Sequence, residues 1–175
     1  MSYTDFRELK EFRDKIQDLG ERGTKELCEQ CSKELAGRLL TKVVKRTPVG
    51  VRPTGLSEEA QAHWQGYVGG TLRRGWTNGR KTTNVKAYAQ GMRVTRSGQN
   101  YSIKIINNVK YAPYVEYGHR QHPGQFVPAL GKTLKASWVR GKFMMTISES
   151  EVSAIAQKVV DKKTKEYLER HLADD

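Results

Sequence analysis

Leu27, Cys31, Leu35, Leu39 and Val43 recur at every fourth position, and no proline interrupts the chain before Pro48. That spacing keeps returning apolar side chains to one face of an α-helix, which turns once in about 3.6 residues. Glu and Lys fill the other faces. A stripe of this kind must lie against other apolar surface, so it fixes one long packed helix in whatever fold the chain adopts. Helical character extends back to residue 5, but Gly20 and Gly23 interrupt it. We expect a short helix near 5–18 and a longer one near 24–46, with Thr24 as the N-cap of the second. Thr47-Pro48 ends it, because proline disfavours helical backbone in the residue before it.

The pattern then changes. Residues 48–70 read as a long loop in which Glu58 to Trp64 form a helical turn, and a loop of such length is usually functional or ordered by a partner. Strand character follows, with candidates at Thr71–Thr77, Tyr88–Thr95 and Tyr101–Asn107, and a turn at Ser97-Gly98-Gln99-Asn100. In the last of these Tyr101, Ile103 and Ile105 share a face, while Ser102 and Lys104 point the other way. The alternation predicts an antiparallel sheet with Lys and Arg on one side. Residues 111–118 read as a short helix ended by Gly118, and residues 119–141 as a second long loop containing Pro123 and Pro128. Phe143, Met144, Met145 and Ile147 suit a strand or the entry to a helix. Ser148 and Glu151 match a capping box, after which Val152, Ile155, Val159 and Leu168 mark an amphipathic C-terminal helix. No repeat divides the chain, which reads as a single domain over 1–175.

Charge is segregated along it. Residues 71–148 carry fourteen basic side chains and one acid, so they account for the whole net charge of +12. Segregation this sharp favours a functional basic surface facing a polyanion, either nucleic acid or an acidic protein face. The candidates are Arg73, Arg74, Arg80, Lys81, Lys86, Arg93, Arg96 and Lys104, with Tyr88 and Tyr101 among them. Stacking of bases on these tyrosines is the less favoured reading, since both fall near the apolar face; contact with backbone phosphates needs only placed cations. The hydrophobic fraction is 37% and mean hydropathy −0.72, low for a self-sufficient globule, so partners are expected to order part of the chain. No apolar run approaches the roughly 20 residues of a membrane helix. The N-terminus lacks the features of a signal peptide, which makes the cytoplasm the expected compartment.

Catalysis and metal binding find little support. Cys28-x-x-Cys31 lies inside the long helix with no second cysteine pair, and Cys31 falls on the apolar stripe, so core packing is expected. His119-x-x-His122 has one acid nearby, Glu116, and reads as solvated loop histidines. Nucleophilic and acid–base chemistry need paired groups, and residues 60–148 hold a single carboxylate. No phosphate-cradling glycine loop is present. We expect no enzyme, no metal and no cofactor.

That single carboxylate, Glu116, stands in Tyr111-Ala112-Pro113-Tyr114-Val115-Glu116-Tyr117-Gly118-His119. An acid in so basic a neighbourhood calls for a fixed cationic partner. The stretch, with Val127-Pro128-Ala129-Leu130 and Gly141-Lys142-Phe143-Met144 after it, resembles a "YAxyvEyGh…pG.fm" pattern. Upstream, Lys45-Arg46-Thr47-Pro48-Val49-Gly50 and Thr71-Leu72-Arg73-Arg74-Gly75-Trp76 resemble "tPvdTGtLrrsw", with residues 51–70 intervening and either Thr54-Gly55 or Gly70-Thr71 as the Thr-Gly counterpart. Over roughly residues 25–165 the chain is similar to the small tail-component proteins of long-tailed bacteriophages, the tail-completion or head–tail joining family. The resemblance implies an α+β fold, with a long helix packed on a small antiparallel sheet and a C-terminal helix. It also implies a ring, typically of six copies, at the virion neck between the head-side connector or head-closure ring and the tail tube or tail terminator protein, assembled in the host bacterial cytoplasm.

On that basis Tyr111, Tyr114, Glu116, Tyr117 and Gly118 form a structural motif, in which Tyr114, Glu116, Tyr117 and Gly118 fix the turn between the last strand and the 119–141 loop and Glu116 pairs with Arg73 or Arg74. The basic segment then meets an acidic connector face in preference to lumen DNA, because a strong grip on phosphates would slow DNA passage. Alternatives are a tail terminator or collar ring, including that of a headless tail-like particle, and a free-standing nucleic-acid-binding protein.

Overall fold

The computed structural model describes residues 19–172 with the exception of Thr83. The expected helix near 5–18 lies outside the described residues. The fold is α+β, built around two long antiparallel helices. Helix α1 spans Thr24–Arg46 and α6 spans Met144–Leu172. Between them come α2 (Glu58–Ala62), α3 (Thr71–Gly75), α4 (Val85–Gln90), the hairpin β1–β2 (Thr95–Ser97, Asn100–Ser102) and α5 (Ala112–Tyr117). An arm of four short strands follows: β3 (Gly118–Arg120), β4 (Phe126–Val127), β5 (Lys132–Thr133) and β6 (Trp138–Arg140).

Helix α1 ends where proline requires, with Thr47 extended at ψ 122°. Its start differs from expectation. Helical backbone already runs through a π-helical turn at Leu19–Gly23, and Gly23 is itself helical. Thr24 therefore caps nothing; its hydroxyl donates back to the Gly20 carbonyl at 2.8 Å. The buried face is also displaced from the expected stripe. Ala36, Leu40 and Val43 enter the core and Cys31 is buried, whereas Leu27, Leu35 and Leu39 are half-buried. The reason is that α1 has neighbours on two sides. Helix α6 runs along one, and α4 crosses the other, where Ala89 and Lys86 lie against Gly37.

Two expected strands are helices. Residues Leu72, Gly75 and Trp76 are buried at i, i+3 and i+4 of α3, and Val85, Tyr88, Ala89 and Met92 face the core at i, i+3, i+4 and i+7 of α4. Helical periodicity thus outweighs the β-propensity of Thr, Val, Tyr and Trp at these places. Asn84 starts α4, its side chain accepting from Ala87 N at 2.9 Å. The third strand is real but short: the ladder covers Thr95↔Ser102 to Ser97↔Asn100. The alternation predicted beyond it persists without a ladder, with Ile103, Ile105 and Val109 packed on the core and Lys104, Ile106 and Asn108 exposed.

The core is formed where α1, α3, α4, α5 and the first turn of α6 converge on Leu40, Val43, Leu72, Trp76, Ala89, Ala112 and Met144. Burying a Leu or Val side chain is worth about 1.5–3 kcal/mol. On α6, Val152 and Val159 are buried as expected, but Tyr167 takes the position assigned to Leu168, which is exposed. The segment read as a loop at 119–141 is a two-tier antiparallel arm. Its strand β3 pairs with β6, and β4 pairs with β5 at the tip. It does not stand free: Trp64 Nε1, just past α2, donates to the Ala129 carbonyl at 2.6 Å.

The other long loop is closed at its base. A Cβ on Gly69 would collide with the Gly50 carbonyl oxygen and a Val49 methyl. Residues 51–68 are therefore an excursion whose ends touch, and Gly70-Thr71 leads straight into α3.

Candidate functional site

Both sequence motifs converge on the adjoining ends of the two long helices. At the C-terminal end of α1, Thr47 is fully buried. Its hydroxyl donates to the Val43 carbonyl at 2.6 Å and accepts from Trp76 Nε1 at 2.7 Å. Its own carbonyl receives Arg73 through Nε at 3.2 Å and Nη2 at 2.7 Å. A helix C-terminus leaves carbonyls without partners and carries partial negative charge, so a guanidinium there satisfies both. Thr47, Arg73 and Trp76 are thus one clasp, although 26 residues separate Thr47 from Arg73.

The second clasp holds the N-terminus of α6. The Glu116 carboxylate is buried and accepts from Met145 N at 3.0 Å, Thr146 N at 3.0 Å and the Thr146 hydroxyl at 2.8 Å. Its expected partner, Arg73 or Arg74, is engaged elsewhere: Arg73 on Thr47, and Arg74 on the Gly69 carbonyl at 3.0 Å and the Thr71 hydroxyl at 3.3 Å. In place of a cation, Glu116 meets the N-terminus of α6, whose free N–H groups and dipole attract an anion. The expected capping box fails for the same reason. Helix α6 starts at Met144, so Ser148 lies within it, donating to the Met144 carbonyl and accepting from Arg46 Nη1.

Backbone contacts lock this clasp. Lys142 N donates to the Val115 carbonyl at 2.8 Å and Phe143 N to the Glu116 carbonyl at 3.0 Å. Gly118 sits at φ +89°, and a Cβ there would strike the Val139 carbonyl; one on Gly141 would strike the Glu116 carbonyl. Phe143 is held at φ +48°, a conformation unusual for so bulky a residue. The pattern Glu-Tyr-Gly…Gly-Lys-Phe records two chain segments crossing in contact.

The tyrosines of the motif do something else. The side chains of Tyr111, Tyr114 and Tyr117 are 46%, 59% and 64% exposed, while the Tyr114 carbonyl accepts from Gly118 N at the end of α5. Tyr111 lines an open, mainly apolar groove of about 440 Å³ with Val49, Trp64, Tyr67, Leu72 and Val115. Trp64 and Tyr67 meet edge-to-face at 4.8 Å there.

The basic residues do not share a sheet face. Arg73 and Arg74 brace the scaffold, and the stem of Lys86 lies along Gly37 of α1. Arg96 sits 5.6 Å above the Tyr101 ring and donates to the Gly98 carbonyl; Lys81 is exposed in the turn after α3. Arg80, Arg93 and Lys104 border a common cavity. Cys31 is buried, which pushes its thiol above the ordinary range, with the nearby Cys28 adding to the effect. His119 lies half-buried on β3 beside Tyr114, and His122 is exposed. Among the described residues no three His, Cys, Asp or Glu side chains gather where they would hold a metal, and no helix is long and apolar enough to cross a membrane.

Residues 10–118 match the family described as "Bacteriophage HK97-gp10, putative tail-component". No curated protein and no solved structure matches the chain. The match spans more than half of the sequence and takes in the Thr47 clasp and the Glu116 motif, and the chain belongs to this HK97-gp10-like family of phage tail components.

Proposed function

We propose that the protein forms a ring, of six copies, at the neck of a phage virion, and that it joins the head-side connector to the tail tube. It acts by fit and carries out no catalysis. One observation carries this reading. The motif residues Thr47, Arg73, Trp76, Glu116 and Gly118 hydrogen-bond or pack the scaffold against itself, while the aromatic groove and the tyrosines beside it are left exposed by the described residues. Exposed apolar patches on a subunit of low hydropathy mark surfaces that other subunits bury. The acid supply agrees: the one carboxylate of residues 60–148 is fully engaged by a helix terminus and is not available to a substrate. Electron microscopy of the purified protein and of the particle tests the reading. We expect a ring alone or at the head–tail junction; a monodisperse monomer that never joins a tail overturns it.

A further inference from the structure

The strongest feature not used by either clasp or by the groove is the cavity between the turn after α3, the C-terminal end of α4 and the β1–β2 hairpin. Its volume is about 570 Å³, and its wall includes Arg80, Arg93, Lys104, Asn78, Thr95 and Tyr88. Three cations therefore face one concavity, and among the described residues no acid lines it. None of the three side chains has a hydrogen-bond or ion-pair partner among the described residues. This contrasts with Arg46, Arg73, Arg74 and Arg96, each of which is engaged by the chain. Local neutralisation is also lacking in sequence, since the sole acid of residues 71–148 is buried at the N-terminus of α6.

We propose that this cavity binds the phosphate backbone of DNA. An acidic protein face would meet cations spread over an open surface. Here they surround a hollow large enough for a phosphate with its sugar, flanked by the neutral hydrogen-bonding groups of Asn78 and Thr95. The objection that a phosphate grip would stall DNA in a conduit is met by magnitude. Each neutralised phosphate contributes about −0.9 to the slope of log K against log salt, so three give a slope of about −3. The affinity of each subunit's site then falls roughly forty-fold between about 50 and 200 mM salt, so the contact is strongly screened as salt rises. The site deepens the neck reading only in identifying the DNA it meets as the DNA that passes through the particle; the cavity itself does not depend on the ring.

The test is fluorescence anisotropy of a labelled DNA duplex with the full chain across a salt series. Wild type should bind at low salt with a slope of about −3 for each subunit that engages the duplex. The triple variant Arg80→Ala/Arg93→Ala/Lys104→Ala should lose nearly all of that slope. The control Arg120→Ala/Lys132→Ala/Lys135→Ala removes the same charge from the arm and should retain it. Arg80→Lys/Arg93→Lys should also retain it, because phosphates are met here by charge and not by base-specific geometry. Absence of duplex binding at low salt overturns the proposal, as does equal loss in the control, which would mean that net charge alone attracts DNA. Electron microscopy of the same samples separates the two readings. Rings from a DNA-blind triple variant leave the ring standing, and DNA binding by a chain that never forms rings sinks the ring alone.

Discussion

At the scale of single residues, Glu116 shows how a sequence signal survives while its explanation changes. Its isolation among cations marked it as an acid with a fixed cationic partner, but among the described residues its carboxylate meets no cation and accepts only from Met145 N, Thr146 N and the Thr146 hydroxyl. The partner was not legible because it is no residue at all but the free N–H groups at the start of α6. Glu116→Gln keeps the shape, removes the charge and turns one acceptor into a donor facing donors. We expect a loss of about 2 kcal/mol, or about 4–8 °C in Tm for a chain of this size. An unchanged melting curve would remove the capping role. Thr47 is the counterpart. Thr47→Val preserves volume but strands the buried Trp76 Nε1 and gives up the bond to Val43 O. That should cost about 2–3 kcal/mol by urea unfolding. Thr47 was visible in the sequence as a helix stop; its hydroxyl's second role depends on Trp76, 29 residues away.

At the scale of elements, the long helices were legible and the short ones were not. Helix α1 announces itself through repetition and a proline stop. The two short helices α3 and α4 span little more than a turn each, so the β-propensity of their residues competed with only one or two periodic contacts. Asn84 before Val85 and Gly91 after Gln90 were the readable signals for α4. The pairing of α1 with α6 could not be read, and its ion cluster supplies a test. Lys42 Nζ and Arg46 Nη2 each reach Glu151 at 2.7 Å. The hydrogen bond from Lys42, helped by both positive charges, holds the Glu151 carboxyl below its ordinary range. A pKa lowered by folding gives stability that is present above the unfolded carboxylate value and is lost as pH falls through the folded one. Glu151→Gln should therefore flatten the acid limb of stability below about pH 4.5 and change little in slope between pH 6 and 8, as read from urea midpoints. An identical acid limb in the variant would show that the cluster has no energetic role; because the Glu151 side chain is 40% exposed, we expect a small effect. The 51–68 excursion gives a second test. Its ends meet at Gly50 and Gly69, so joining them directly should leave the α1–α6 core intact by circular dichroism. The same deletion removes Trp64 from Ala129, and the arm should become the first site cut by protease. Loss of the whole fold would contradict the closed base.

At the scale of the whole molecule, the division of labour matters more than any one contact. Thr47, Arg73, Trp76, Glu116 and Gly118 are spent inside the subunit, where they lock the ends of two long helices in place. The surfaces that face outward include residues that no packing argument requires: exposed tyrosines, the groove beside them and the cavity lined by Arg80, Arg93 and Lys104. A subunit organised in this way can change its surfaces without endangering its fold, and a single substitution can separate the two. Tyr111 is 46% exposed and lines the groove with Tyr67 and Val115. Tyr111→Ser should leave the monomer's Tm within about 1–2 °C, because little buried surface is lost, as is usual for exposed positions. If neighbouring copies bury the groove, the same change removes an aromatic anchor from every interface of the ring at once, and losses at aromatic anchors of about 2 kcal/mol or more are common. Repeated around a closed ring, that is enough to shift assembly to monomer at micromolar concentration. Sedimentation velocity with melting curves on the same samples reads both quantities. An intact fold with lost rings places the groove at the interface between copies, whereas rings that form normally with Tyr111→Ser assign the groove to a different partner.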